Sequence, residues 1–280
     1  MSFSTFSTRQ DGATLHVTLD NGEVNMMTAA MAAELFALVG QLAVDDETRV
    51  VVFDSANKDF FIAHFDIDDI FKLIEGDPSI PISKNPGLNI LQALGLSISS
   101  LPQITIAKVD GICRGGGFEW MLALDMCFAT RDSKFCFPEA SCGFLPAGGG
   151  TTLLPLKAGP ARALEIMLTG RDFSGSEAAQ YNIINRAFDS AAELDAYVNE
   201  TQARVARNDS AANQAIKMVL KQTSSVMNEG IMAGLAQENS AMNECLANPV
   251  VLEQLKLLAE NSGTAERELD LPATITSFKA

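Results

Sequence analysis

The chain has 280 residues, 47% of them hydrophobic, enough for one large core with a smaller appended part. Its 35 acidic and 20 basic residues give a formal charge of −15, which disfavours nucleic acid and anionic membranes as main partners. The five cysteines, Cys113, Cys127, Cys136, Cys142 and Cys245, are odd in number, lack metal-ligand spacing and sit mostly in apolar stretches. They read as reduced thiols of a cytoplasmic protein with no metal site.

Met1 to Gly12 is polar, without a basic n-region or an apolar h-region, and no apolar run reaches membrane-spanning length, so a soluble, unprocessed chain is expected. Leu15, Val17 and Leu19 alternate with polar residues and end at Asp20, Asn21 and Gly22, which predicts a first strand and a turn. A helix follows, capped by Thr28, with Met31, Leu35, Leu38, Val39 and Leu42 at helical spacing. Val50 to Phe53 predicts a buried strand. The prolines and glycines between Gly76 and Gly87 predict an irregular, substrate-facing loop, followed by a helix near Leu88 to Ser99 and a strand through Ile104, Ile106 and Val109. Asp125 to Thr130 opens a predicted strand pair that ends before Pro138. Gly148 to Gly150 then open a helix with Thr151 and Thr152 as candidate caps. From about Ala191 the pattern is wholly helical, with Val198, Val205, Ile216, Val219, Leu220, Ile231, Leu235, Met242 and Leu246 in apolar stripes. The expected organisation is an α/β core over residues 1–192 and a helical module over residues 193–280.

Three segments carry chemistry. Gly115, Gly116 and Gly117 precede Glu119 at a helix start, where backbone N–H groups and the positive helix end can hold a developing oxyanion. Glu119 itself reads either as an acid/base group desolvated among Phe118, Trp120 and Met121 or as a first-turn acid favoured by the helix dipole. Phe61 to Ile67 reads as a strand end with an acidic helix start. Pro138 and Glu139 precede a second glycine-rich turn through Gly143 and Gly148 to Gly150; Glu139 alone would be an ordinary loop acid.

Together, in this order and spacing, the segments resemble the crotonase superfamily, the enoyl-CoA hydratase/isomerase family. Ala63 to Ile67, Gly115 to Glu119 and Pro138 to Gly150 carry the likeness, Glu119 and Glu139 stand 20 positions apart as the family's hydratase glutamates do, and Ala163 to Asn185 adds to it. The resemblance implies a spiral of strand–strand–helix repeats with a C-terminal helical trimerisation module, assembled as a homotrimer or a dimer of trimers. It implies a lyase or isomerase of fatty acid metabolism that acts on an acyl-CoA thioester, with coenzyme A as part of the substrate and no separate cofactor. By position, the N–H groups of Phe65 and Gly116 form the oxyanion hole, Glu119 and Glu139 hold a water and exchange protons, and Ala63, His64, Asp66, Ile67 and Ala147 contact substrate or CoA. Hydration of a 2-enoyl-CoA is the leading expectation. An isomerase that uses Glu139 alone, a CoA-independent carbon–carbon hydrolase and a scaffold without turnover are the alternatives.

The pattern also departs from the family. His64 stands where a glycine is usual, leaving it a catalytic group, a lid contact or an exposed residue. Arg114 precedes the glycines in place of an apolar residue and reads as an ion-pair partner or a phosphate or carboxylate contact. Ala147 replaces a glycine. No basic residue lies near Asn21 to Asn25 for a CoA phosphate, which leaves Lys58, Lys217 and Lys221 as candidates. The tail from Asn248 to Ala280 lacks the family's phenylalanine-rich ending.

Overall fold

The computed structural model describes residues 3–78, 80, 87–222 and 225–278. Most of the irregular loop expected between Gly76 and Gly87, residues 79 and 81–86, lies outside the described residues. The chain opens with a hairpin of β1 (Phe6–Asp11) and β2 (Thr14–Leu19), turned at Gly12, whose φ is +56°. β1 is not legible as a strand because five of its six residues are exposed, so an edge position leaves no apolar alternation to read. α1 (Ala29–Leu42) starts where expected, with Met31 N–H donating to the Thr28 hydroxyl and the expected apolar face buried. β3 (Val50–Ser55) is followed by β4 (Phe60–Ile62), α2 (Ile67–Glu75) and α3 (Ile90–Ser99), which an Asn89–Gln92 capping box starts. β5 (Ile104–Val109) and β6 (Ile112–Arg114) lead without a break into α4 (Gly115–Leu122). Then come β7 (Met126–Thr130), β8 (Lys134–Cys136), a 3₁₀ turn over Glu139–Cys142, α5 (Gly150–Ala158), α6 (Pro160–Thr169), β9 (Phe173–Ser174), α7 (Gly175–Gln180) and β10 (Arg186–Phe188). The remainder is helical, as expected: α8 (Ala191–Arg207), α9 (Ser210–Gln222), α10 (Ser225–Leu246), α11 (Pro249–Asn261), α12 (Ala265–Glu268) and α13 (Leu271–Ser277). Among the described residues no helix is long and apolar enough to cross a membrane.

From β3 to β8 successive strands alternate between two sheets, which makes the spiral. A six-stranded sheet runs β1-β2-β3-β5-β7-β10, and a four-stranded one runs β4-β6-β8-β9. Only the β1–β2 and β8–β9 pairs are antiparallel. β7 and β8 are therefore not the strand pair their sequence suggests. β7 joins the large sheet and β8 the small one, and a turn at Thr130–Ser133, tied by the two hydroxyls, carries the chain across.

β3 shows why the interior reads as continuous apolar runs. Val51 and Phe53 enter the main core between the layers, while Val50 and Val52 pack on the opposite face against Leu194 and Val198 of α8. Each of these α8 side chains stabilises the contact by about 1.5–3 kcal/mol. α8 is thus part of the sheet's cover, whereas Ile216, Val219 and Leu220 on α9 face outward. The tail folds back on its own chain: Val251, Leu255 and Leu258 of α11 with Leu271 and Ile275 of α13 close an apolar cluster over Ile67 and Cys142. That packing places the last helices beside the two candidate acids.

Candidate active site

α4 enters from β6 with no side-chain cap, so its first N–H groups lack intrahelical acceptors. Gly117 lets the helix lie against β4, since a Cβ there would come within 2.4 Å of Ile62. Gly116, the helix's second residue, faces the chain at Phe65, where a Cβ would sit 2.8 Å from Phe65 Cβ and 3.5 Å from Phe65 N. Phe65 is fixed by a single parallel bridge to Met27: the His64 carbonyl accepts from Met27 N–H and the Met27 carbonyl from Asp66 N–H, both at 2.9 Å. In that pattern the Phe65 N–H points away from Met27. Phe65 and Gly116, the residues whose amides the resemblance pairs, lie side by side and both line one cavity.

Glu119, on the buried face of α4, meets the N-terminus of α5. Its Oε1 accepts from Gly148 N–H at 2.7 Å and Gly150 N–H at 2.9 Å. The expected caps Thr151 and Thr152 are not used. The Thr151 hydroxyl donates to the Pro146 carbonyl, and the Thr152 hydroxyl turns to Glu238 rather than to the helix's own amides. Carboxylates replace them, because the intervening Gly149 N–H and that of Thr152 donate to Glu238 of α10, whose Oε2 also accepts from Gln92. Two acids thus share one positive helix end. Glu139, on the 3₁₀ turn, is 7% exposed and its Oε2 has no hydrogen-bond partner.

Burial, then the nearby Glu139 and Glu238 charges, push the Glu119 carboxyl well above its ordinary range, against the pull of its two amide bonds. Burial pushes Glu139 up to about 8, with its own N–H and His64 acting in the opposite direction. Burial also raises Glu238, opposed by its bonds from Thr152, Gln92 and Gly149. Glu119 and Glu139 therefore titrate as a pair that holds a proton at neutral pH, which is what proton exchange with a substrate requires. Both open into one cavity of about 340 Å³. His64, Phe65, Gly116 and Ala147 line it beside the two acids, and Ile67, Ile70, Leu73, Ile74, Phe144, Met242, Leu246 and Leu258, with the polar Asn89, Asn239 and Asn243, line much of the rest.

The other expected contact residues divide. Ala63 is buried in a separate apolar cluster with Val24, Phe60 and Ile112. Asp66 caps α2 by accepting from Asp68 N–H, and it lines a second cavity of about 350 Å³ shared with His64, Ile67, Asn21, Glu23 and Ser262. His64, which the sequence left open between a catalytic, a lid and an exposed position, is buried. Its Nδ1 lies 2.7 Å from the Phe65 carbonyl and its Nε2 3.0 Å from Glu268 Oε1 on α12. Arg114 proves to be an ion-pair partner. Fully buried, it donates from Nε and one terminal nitrogen to the two oxygens of Asp172, each at 2.8 Å, and from the other to the Glu268 carbonyl. No Lys or Arg among the described residues lines either cavity. Of the lysines considered for a CoA phosphate, Lys58 pairs with Asp59 and Lys217 with Asp125 and the Gln103 carbonyl. Glu238, Glu268 and Asp172 escaped sequence reasoning; each is an acid in an ordinary helical or loop context, with no local signal.

The sequence matches the enoyl-CoA hydratase/isomerase family over residues 9–249. Carnitinyl-CoA dehydratase from Proteus mirabilis is 30% identical over 215 residues, 77% of this chain and 79% of that protein. The Escherichia coli K12 carnitinyl-CoA dehydratase is 30% identical over 226 residues, 81% of this chain and 83% of its own. A crystal structure of a candidate enoyl-CoA hydratase from Streptomyces avermitilis, 33% identical, superposes with a TM-score of 0.90 over 99% of both chains. An enoyl-CoA hydratase from Bacillus halodurans shares the fold at 22% identity, with a TM-score of 0.79 over 90% of this chain and 99% of its own. By sequence and by fold, the chain belongs to the enoyl-CoA hydratase/isomerase, or crotonase, family.

Proposed function

We propose that this protein adds water across the double bond of a 2-enoyl-CoA thioester. One observation carries the reading: two buried carboxyls, Glu119 and Glu139, and the adjacent backbone at Phe65 and Gly116 line a single cavity whose remaining wall is apolar apart from Asn89, Asn239 and Asn243. The ionised member of the Glu119–Glu139 pair takes a proton from water, and the water oxygen bonds to C3. The C2–C3 π electrons move through the thioester carbonyl, and the Phe65 and Gly116 N–H groups hold the enolate oxygen; one such donor is worth about 2.7–4 kcal/mol in other enzymes. The enolate then collapses and C2 takes the proton of the other carboxyl, so one water is added and the two acids have exchanged states. Dehydration is the same path reversed. The apolar side chains that α2, α10 and α11 bring to the wall, Ile70, Leu73, Ile74, Met242, Leu246 and Leu258, suit an uncharged acyl chain, with Asn239 and Asn243 of α10 as polar groups among them.

Isomerisation is the second reading, favoured by the contrast between Glu119, whose Oε1 is held by two amides, and Glu139, whose Oε2 is unpartnered. Glu139 alone would then move a proton between C2 and C4. Loss of the conjugated enoyl thioester absorbance, followed in Glu119→Gln, separates the two. Hydration expects a fall of about 10²–10⁴-fold, whereas full retention of water addition, or double-bond migration as the main activity of both proteins, would refute it.

We further propose that the helical part beyond residue 192 carries the contacts of a homotrimer or a dimer of trimers, supported by the outward Ile216, Met218 and Val219 on α9. Light scattering coupled to gel filtration tests this, and a monomer at micromolar concentration would exclude it.

A further inference from the structure

We propose that His64 is a standing imidazolium, clamped between the Phe65 carbonyl and the Glu268 carboxylate, and that it positions the Phe65 amide and polarises the oxyanion site. The placement of that amide as an oxyanion donor rests on the reading above; the charge state of His64 does not. A carbonyl oxygen can only accept, so Nδ1, at 2.7 Å from the Phe65 oxygen, carries a proton. Nε2 faces Glu268 Oε1 at 3.0 Å, an atom that already accepts from Gly263 N–H at 2.7 Å. A second ring proton satisfies that contact, and the fully buried carboxylate is then paired.

The surroundings support the charge. Burial works against a charged imidazole, but Glu268 and the Phe65 carbonyl outweigh it and raise His64 above its ordinary value, while His64 and the Gly263 amide hold Glu268 below its own. Of the other charged groups near His64, Arg114 opposes its proton but is itself neutralised by Asp172, Glu139 lies beside it past Gly115, and Asp66 and Glu23 share the outer cavity.

The clamp acts on backbone as well as charge. The His64 carbonyl is held by Met27 N–H and the Phe65 carbonyl by the imidazole, so the peptides on both sides of Phe65 are fixed and its N–H has one direction. Glu268 sits 204 residues along the chain, on the tail that folds back, so the C-terminal helices would set the aim of the oxyanion donor. Without His64, Glu139 loses a nearby cation, its acid form is favoured, and the pH limb it governs moves upward.

The chain has two histidines, so a long-range proton–nitrogen correlation resolves both rings, and His16→Gln assigns them. At pH 8 we expect His16 neutral and both His64 nitrogens protonated; a neutral His64 tautomer at pH 8 would overturn the proposal whatever the enzyme's activity. In Glu268→Gln, His64 should lose its second proton, kcat should fall by about 10–100-fold with KM nearly unchanged, and the Glu139 limb should move to higher pH. A neutralised His64 with unchanged kcat and pH profile would refute the positioning role. If Glu268→Gln does not fold, His64→Gln provides the same kinetic comparison, and the wild-type spectrum still decides the charge. A wild-type protein that shows the imidazolium but turns over no enoyl-CoA would instead count against the proposed reaction.

Discussion

Gly148→Ala isolates the support of Glu119 from its chemistry. The backbone at Gly148 lies outside the left-handed region, so alanine meets no conformational barrier there, and the effect is one of space. The added Cβ would stand 2.6 Å from Glu119 Oε2, 3.0 Å from its Cδ and 2.9 Å from Leu91 Cβ. Ordinary contact begins near 3.4 Å, so the carboxyl must retreat by the better part of an ångström and loosen its bonds to Gly148 and Gly150. Overpacking costs about 1–3 kcal/mol, and one weakened hydrogen bond adds about 1 kcal/mol, so a loss of about 2–4 kcal/mol is expected. A displacement of about 1 Å at a catalytic group costs on the order of 10²-fold in rate. Urea unfolding should show a lower midpoint with an unchanged slope, and enoyl-CoA hydration should fall about 100-fold. Gly40→Ala is the control: its Cβ meets nothing within 4 Å, and replacing a glycine in the last turn of α1 should leave stability unchanged or slightly raised. Gly148→Ala with wild-type stability and rate would refute the packing argument.

Other residues give independent tests. Because the Glu139 carboxyl is raised to about 8 in the folded state, it holds a proton there that the unfolded chain releases near pH 4.5. Its contribution to stability is therefore full below about pH 4.5 and is lost as pH rises toward 8; Glu139→Gln should flatten that decline in urea midpoints, and an unchanged slope would contradict the shift. Asp172→Ala strips the fully buried Arg114 of its bidentate partner and should destabilise by about 3–5 kcal/mol in the same assay; a loss under 1 kcal/mol would mean that the guanidinium is satisfied elsewhere. Thr152→Val removes the hydroxyl that, beside the backbone N–H of the same residue, helps hold the Glu238 carboxyl down, and should destabilise by about 1 kcal/mol; unchanged stability would mean that the hydroxyl makes no bond there.

The candidate site is only partly legible locally. The glycines that open α4, Glu119 and the second glycine turn stand out among their neighbours, but Glu139 alone reads as an ordinary loop acid, and the acids take on a role only through the order and spacing of all three segments. Where reading failed, the controlling partner was distant or the signal ambiguous. Thr151 and Thr152 have the chemistry of caps, yet Glu119 and Glu238 take the amides they would have served, Glu238 from 89 residues away. β7 and β8 look like a hairpin because a short polar turn joins them, and nothing within the turn tells that the chain changes sheets. His64 appears as a misplaced glycine position until Glu268 is seen beside it.

The sequence by itself determined several of the longer elements, among them α1, β3 and β5, and the helical character beyond Ala191, because periodicity and turn chemistry are properties of adjacent residues; the two acids gained a role only through the order and spacing of whole segments. Only the tertiary structure decided that Glu119 and Glu238 share the end of α5, that Arg114 is spent on Asp172, and that His64 is paired. These buried charges are tolerated only with partners, and the partners are supplied by segments that meet once the spiral closes and the C-terminal helices fold over it.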